Sequence, residues 1–467
     1  MQAPMREKNR TETVIAAVRT RIASGSLARG ERLPSIRRLA SQHGFSPSTI
    51  AEAYDRLVAE GMIHARPGSG YFVAGGTLAR FVPNTKRDHA VDPFWVSRQA
   101  LEADPSIMQP GCGWLPESWM PLPALRHALR AISREEGVLL TGYGPARGSL
   151  PLRQLLTRRW AEDQLHVAPE QILLTSSGTQ AVDLVCRLML SPGDTVLVDD
   201  PCYFNFRALL AEHRVRVIGV PCLADGPDLD AFARLLRQEA PMLYLTNSGL
   251  QNPVGCTITL HKAHEILSLA KAHGVTIIED DIFADFAPRP FASLAPLDGL
   301  NRVIRIGSFS KTLSASLRCG YIAASSEMIE RLGDLLIATG FAGVSPVAAE
   351  IVKHVLTGGS YRRHIEALHR RLAKARKDGA GQLGSLGIKP VIMPEGGFSL
   401  WCEMPAGCDV TDLARNALEE GIVLAPGAVF SASGETSRFM RFNVAQMAEN
   451  NIIGQLAVLL GRGASSG

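Results

Sequence analysis

The chain has 467 residues, 46% hydrophobic and 20% charged, with a formal net charge of +4. That length exceeds a single compact core, and the composition excludes a disordered, collagen-like or disulfide-stapled chain, so two or three globular domains are expected. The small charge is unevenly placed: residues 1–72 hold 11 Lys and Arg against 6 Asp and Glu, while the remainder holds 38 against 39.

The first residues, MQAPMREKNR, lack the apolar stretch of a signal peptide, and no apolar run approaches a membrane span. The eight cysteines are scattered without a CxxC, and the twelve histidines show no metal spacing. The expectation is a cytoplasmic protein with reduced thiols, no membrane partner and no metal. The basic excess at the N-terminal end is a mild nucleic-acid signal.

In chain order, Val14, Ile15, Val18 and Ile22 fall at helical spacing within 11–25. PSIRRLASQHG (34–44) predicts a second helix, with Pro34 near its start and Gly44 after its end. SPSTIAEAYDRLVAEG predicts a third, with Ser46 as N-cap, Pro47 at the first helical position and Gly61 as the stop. Ile50, Ala53, Tyr54, Leu57 and Val58 share its apolar face. Two β-like runs, 62–65 and 71–74, flank RPGSG and predict a hairpin with a glycine-rich tip. Three helices and a hairpin make a winged helix-turn-helix, whose third helix enters a major groove while the wing meets the backbone.

The run GERLPSIRRLASQHGFSPSTIAEAYDRLVAEGMIHARPGSGYFV resembles the GntR-type winged-helix domain from end to end. The resemblance implies operator DNA as a partner. It carries the family's DNA contacts onto Arg37, onto Ser46, Ser48 and Thr49 at the start of the third helix, and onto Arg66, Gly68, Ser69 and Gly70 on the wing. Many relatives have an arginine where this chain has Pro47-Ser48, so the operator sequence is not readable from these residues. The expected head is 1–74.

Residues 75–105 have mixed polarity, Gly and Pro punctuation and no sustained period, and read as a linker. From 106 to 467, strand-like runs alternate with helical ones. The strand candidates are QILLT (171–175), DTVLVDD (194–200), RVRVIGV (214–220), MLYLT (242–246), VTIIED (275–280), VIRIGS (303–308) and CGYIAA (319–324). This is an α/β pattern with a mostly parallel central sheet, which binds ligands at the carboxyl ends of its strands.

The residues just past these strands are chemically suggestive. Ser177, Gly178 and Thr179 open a helix, where free backbone amides attract an anion. Tyr203 offers a ring face and Asn252 a side-chain donor. Asp280 and Asp281 end a strand. Lys311 sits in GSFSKTLSASLRCG (307–320) with Ser308 before it and Arg318 after it. A lysine among small residues suits a nucleophilic amine. The set suits an aldehyde cofactor with a phosphate and a pyridinium nitrogen.

The order SSGT, PxY, QNPxG, EDD, SFSKxxxxxxR resembles the fold-type I aminotransferases that use pyridoxal 5′-phosphate, over about residues 106–460. By this resemblance Lys311 is the Schiff-base lysine and Asp280 the pyridine partner, with Asp281 the alternative. Ser177, Gly178, Thr179, Ser308 and Arg318 form the phosphate cup, beside Tyr203 and Asn252. Tyr143 reaches the partner subunit's phosphate, which implies a homodimer. Arg441 in RFMRFNVA binds the substrate carboxylate, with Arg438 as alternative. A smaller C-terminal α+β part is implied as well. Relatives usually have a tyrosine two or three residues after the pyridine aspartate, and this chain has Ile282 and Phe283 there.

A GntR-like head on an aminotransferase-like body resembles the MocR subgroup of bacterial transcription regulators. The resemblance implies a regulator that senses an amino acid, an amine or pyridoxal phosphate itself. The competing reading is a working aminotransferase with an appended DNA-binding head.

Overall fold

A computed structural model describes residues 7–28, 30–74, 91–102, 104, 107–134, 137–431, 433, 435–450 and 452–464. The chain divides into two compact units, 1–88 and 89–467.

The first unit has helices α1 (Glu7–Ala23), α2 (Ile36–His43) and α3 (Pro47–Ala59), then strands β1 (Ile63–Arg66) and β2 (Gly70–Val73). Val14, Ile15, Val18, Ile50, Ala53, Tyr54 and Leu57 form its core, as their spacing predicts. Val58 does not join them and is 36% exposed. Ser46 Oγ accepts from the Thr49 amide at 3.2 Å, so the N-cap forms as expected. β1 and β2 are antiparallel with Ile63 opposite Val73. Residues 30–33 run beside them: Leu33 N donates to Tyr71 O at 2.8 Å, and Arg32 bridges to Phe72.

In the second unit all seven expected strands form, within an eight-stranded sheet ordered β3-β10-β9-β8-β7-β4-β5-β6. These are β3 (Ile172–Thr175), β4 (Thr195–Asp200), β5 (Arg216–Leu223), β6 (Gly226–Pro227), β7 (Leu243–Thr246), β8 (Thr276–Asp280), β9 (Val303–Ser308) and β10 (Gly320–Ala323). The contiguous run from β5 through β4, β7 and β8 to β9 is parallel. β10 is antiparallel to both its neighbours. Strands β3, β7 and β9 are buried throughout, as sheets covered on both faces require. A second, antiparallel sheet is ordered β11-β12-β14-β13. Its strands are β11 (Lys389–Pro390), β12 (Ser399–Glu403), β13 (Ala425–Pro426) and β14 (Phe439–Asn443). This is the smaller α+β part. Among the described residues no helix is long and apolar enough to cross a membrane.

The linker expectation needs correcting at its C-terminal end. Trp95–Leu101 is a helix, and its Trp95, Val96 and Ala100 are buried in the core of the second unit. Two turns are too short for a clear period, and burial of Trp95 supplies what the pattern does not show. Residues 75–90 of that stretch lie outside the described residues.

Candidate functional site

Asp200, Thr246, Asp280 and Ser308 lie at the carboxyl ends of β4, β7, β8 and β9. The register sets Ser308 and Thr175 each opposite Gly320, so the segments around Ser177, Lys311 and Arg318 open from one end of the sheet.

Lys311 stands in a tight turn after β9. Burial pushes its amine down to about 8, with Arg441 acting in the same direction and Cys112 and Asp280 opposing. A Cβ placed on Gly113 would lie 3.7 Å from Arg441 Nη2 and 3.9 Å from Lys311 Nζ. The Gly113 backbone therefore borders both cations, and any side chain there would press on them. Gly113 is a residue that sequence reasoning missed. The run PGCGW, two glycines before a tryptophan, was its only signal.

The two adjacent aspartates separate cleanly because side chains alternate faces at a strand end. Asp281 is committed to a buried ion pair: Arg305 Nε donates to its Oδ2 at 2.8 Å, and Arg305 Nη2 reaches the same oxygen. The Arg305 guanidinium also lies 5.0 Å from the centre of the Trp160 ring. Asp280 has no such cation among the described residues. Its Oδ1 accepts from the Ile282 amide at 3.1 Å, and Lys311 is near enough to influence it. Burial raises its carboxyl to about 6. Asn247 Nδ2 fixes the Asp280 carbonyl at 2.9 Å, a support the sequence did not announce.

Arg441 is fully buried. Its Nη1 donates to Asn252 Oδ1 at 2.9 Å and its Nη2 to Gly111 O at 2.7 Å. Burial lowers it to about 10, and its Nε has no partner among the described residues. Arg438 instead lies on the surface, 3.5 Å from Glu403 and stacked on Phe439. Asn252 thus commits its oxygen to Arg441 and keeps its amide N–H group as a donor. Tyr203 is near enough to feel both Arg441 and Asp280.

Ser177 caps the 178–189 helix, its Oγ accepting from the Gln180 amide at 3.0 Å. A Cβ on Gly178 would come 3.9 Å from that of Ser308, so these two segments adjoin. The Ser308 hydroxyl donates to Ser310 Oγ at 2.8 Å. Arg318 is exposed at a left-handed φ of 50°. Thr179 is exposed in the first turn of that helix, beside Gly178, and Tyr143 is 84% exposed, edge-on to Phe341. Among the described residues no contact draws Tyr143 into the cluster. Phe283 turns into an aromatic group with Phe286 and Phe398.

In the first unit the cations divide by partner. Arg19 pairs with Glu60 at 2.6 Å, and Arg56 pairs with Glu12 and Glu52. Arg32, Arg37, Arg38 and Arg66 are exposed, and no carboxylate pairs with them among the described residues. Arg66 lies over the Phe72 ring at 4.8 Å, beside the wing tip of Pro67, Gly68 and Ser69. Gly70, at φ 103°, leaves room for Arg32: a Cβ there would lie 3.3 Å from its Nε. Arg32 is a second residue the sequence reading passed over. Ser46 and Ser48 are exposed, with hydroxyls 2.8 Å apart. Thr49 is only 9% exposed, and its hydroxyl is bonded to Ser46 Oγ at 2.7 Å, so it serves the cap.

Comparison with known proteins agrees with both halves. Residues 115–455 match the aminotransferase class I and II family, and residues 10–73 match the bacterial regulatory proteins of the gntR family. The HTH-type transcriptional regulator YdcR of Escherichia coli strain K12 is 32% identical over 447 residues, covering 92% of this chain and 93% of YdcR. The HTH-type transcriptional regulator NorG of Staphylococcus aureus (strain bovine RF122 / ET3-1) is 27% identical, covering 90% and 97%. The α-aminoadipate aminotransferase LysN of Thermus thermophilus, solved with N-(5′-phosphopyridoxyl)-L-leucine, superposes with a TM-score of 0.73. It is 26% identical, over 80% of this chain and 96% of LysN. A kynurenine aminotransferase of Pyrococcus horikoshii has the same fold, at a TM-score of 0.72 and 24% identity, over 84% and 98%.

The fold and site define a class I and II aminotransferase-like body joined to a helix-turn-helix head. The chain belongs to that family, and its curated relatives are transcription regulators of the MocR type. The family and its solved neighbours imply pyridoxal phosphate as cofactor.

Proposed function

We propose that this regulator binds operator DNA through its head and reads an amine or amino acid through pyridoxal phosphate held in its second unit. The convergence of Lys311, Arg441 and Gly113 carries the reading, because it sets a partly buried amine and a fully buried guanidinium against one stretch of backbone. The donor set fits the cofactor. Lys311 would hold its aldehyde carbon, Asp280 its ring nitrogen, Tyr203 its ring face, and Ser177, Gly178, Thr179, Ser308 and Arg318 its phosphate. When bound, the cofactor supplies an aldehyde that condenses with amines and a ring that withdraws electrons.

The chain's own residues then do three things. With its amine lowered to about 8, Lys311 has an appreciable neutral, nucleophilic fraction at neutral pH. Arg441 receives the carboxylate of an amino-acid effector, its unpartnered Nε marking unused donor capacity. Asn252 orients that guanidinium from the side. Exposed Tyr143 and Phe341 are the aromatic surface of a homodimer. Sensing requires that the effector bind two conformations with different affinity, and the readout is altered DNA binding.

A working aminotransferase would use the same residues, with Lys311 moving the substrate's Cα proton. Phe283 in its aromatic cluster favours sensing, because it cannot donate a hydrogen bond to the cofactor. The test is an absorbance titration with amines and amino acids, run beside a keto-acid assay and duplex-DNA anisotropy. A spectral shift and altered DNA affinity without sustained turnover are expected. Repeated turnover with unchanged DNA affinity would overturn the sensor reading.

On the head, Arg32, Arg37 and Arg66 are the phosphate contacts and the exposed hydroxyls of Ser46 and Ser48 face the groove. With a mixed-sequence duplex, Arg32→Ala is expected to lower the salt slope of binding by about one unit. An unchanged slope would remove Arg32 from the interface.

A further inference from the structure

The turn that carries Lys311 is fastened from outside. Its own backbone bonds run from the Leu313 and Ser314 amides to the Phe309 carbonyl, passing over Lys311 and Thr312. The hold on Thr312 comes from the first turns of the long 360–384 helix. His364 Nε2 lies 2.9 Å from the Thr312 carbonyl, and a carbonyl only accepts, so this nitrogen carries the proton. Burial lowers the His364 pKa, which favours the neutral ring, and the bond to the Thr312 carbonyl selects the tautomer. The buried Tyr361 phenol donates to Asp285 Oδ2 at 2.5 Å. The same phenol group also lies within hydrogen-bond reach of the Thr312 hydroxyl, 2.9 Å away.

Asp285 belongs to the short turn that follows Asp280 and Asp281. Tyr361 therefore joins the exit of the strand bearing the buried carboxylate to the residue next to the partly buried amine. The carbonyl and the hydroxyl of Thr312 are both held by one helix, from residues three apart along it.

We propose that Tyr361 and His364 are positioning residues that set the direction of the Lys311 amine. They act through Thr312. The inference rests on the pyridoxal phosphate reading. It assigns a role to the 360–384 helix beyond packing: displacement of its first turn would move the amine.

The test compares two ligands on the cofactor-free full-length protein: pyridoxal 5′-phosphate, and pyridoxine 5′-phosphate, in which an alcohol replaces the aldehyde. Both fill a phosphate cup and meet a carboxylate, but only the first needs the amine. His364→Ala and Tyr361→Phe are expected to weaken pyridoxal phosphate about tenfold and leave pyridoxine phosphate within about twofold. His364→Gln, which restores an N–H donor at similar reach, is expected to recover most of the loss. Parallel weakening of both ligands would show a merely structural role and overturn the proposal, as would unchanged binding of both. A wild-type protein that binds neither ligand would instead overturn the cofactor reading on which the proposal stands.

Discussion

Burial sets the acid–base state of the residues that meet at the strand ends. The Lys311 amine is lowered to about 8 from an ordinary value of 10.5. Below pH 8 both folded and unfolded chains hold that proton, and the folded chain bears the cost of a buried charge. Between pH 8 and 10.5 the unfolded chain alone retains it, so stability rises with pH across that window. The cofactor-free protein is expected to show this rise in chemical denaturation, and Lys311→Met to lack it. Arg441 and Arg438 give a sharper contrast, being three residues apart yet differing wholly in burial. Arg441→Gln is expected to weaken the response to carboxylate-bearing amines roughly 10- to 100-fold, the scale of a lost charge-assisted hydrogen bond. Arg438→Gln is expected to leave the response unchanged, and a dose series of the spectral shift reads both.

Among the elements, β8 and β9 are joined beside the proposed site by a buried ion pair. Asp281 and Arg305 cross between these strands behind Asp280, and both are nearly inaccessible. Asp281→Asn would leave the Arg305 guanidinium buried and unpaired, at a cost of about 3–5 kcal/mol. Urea denaturation is expected to show that loss, whereas Asp280→Asn is expected to cost much less and to act on cofactor binding. In the head, the start of α3 works the same way at smaller scale. Ser46 and Thr49 tie the helix start together, and this is why Thr49 sits inside rather than on the surface. A motif match transfers residue identity faithfully, but it does not carry exposure, which here depends on the local hydroxyl network.

For the molecule as a whole, the two units have separate cores, the head around Tyr54 and Leu57 and the body around its two sheets. A ligand that binds one unit stabilises that unit directly by mass action and reaches the other only through coupling between them. Calorimetry is expected to show two unfolding transitions, with pyridoxal phosphate at 100 times its dissociation constant stabilising mainly that of the second unit, by about 2.7 kcal/mol. A single transition that moves as one would show the units to be thermodynamically coupled.

The elements and their order were legible in the sequence, as was the set of residues proposed for the site. Caps such as Ser46, glycine stops and runs of β-branched residues are local signals, and every expected strand of the central sheet formed where those signals lay. Motif order then brought Lys311, Asp280 and Arg441 forward as a set. The fold adds that Asp281 is paired with Arg305 while Asp280 is not, and that Arg441 is buried while Arg438 lies on the surface, and these differences favour Asp280 and Arg441 for the proposed roles, because they depend on which face of a strand meets a buried cation or solvent. It also supplied Gly113, Arg32, Tyr361 and His364. Their roles come from contacts with residues far away in the chain, and no periodicity or spacing in the sequence encodes a distance between segments that meet only on folding.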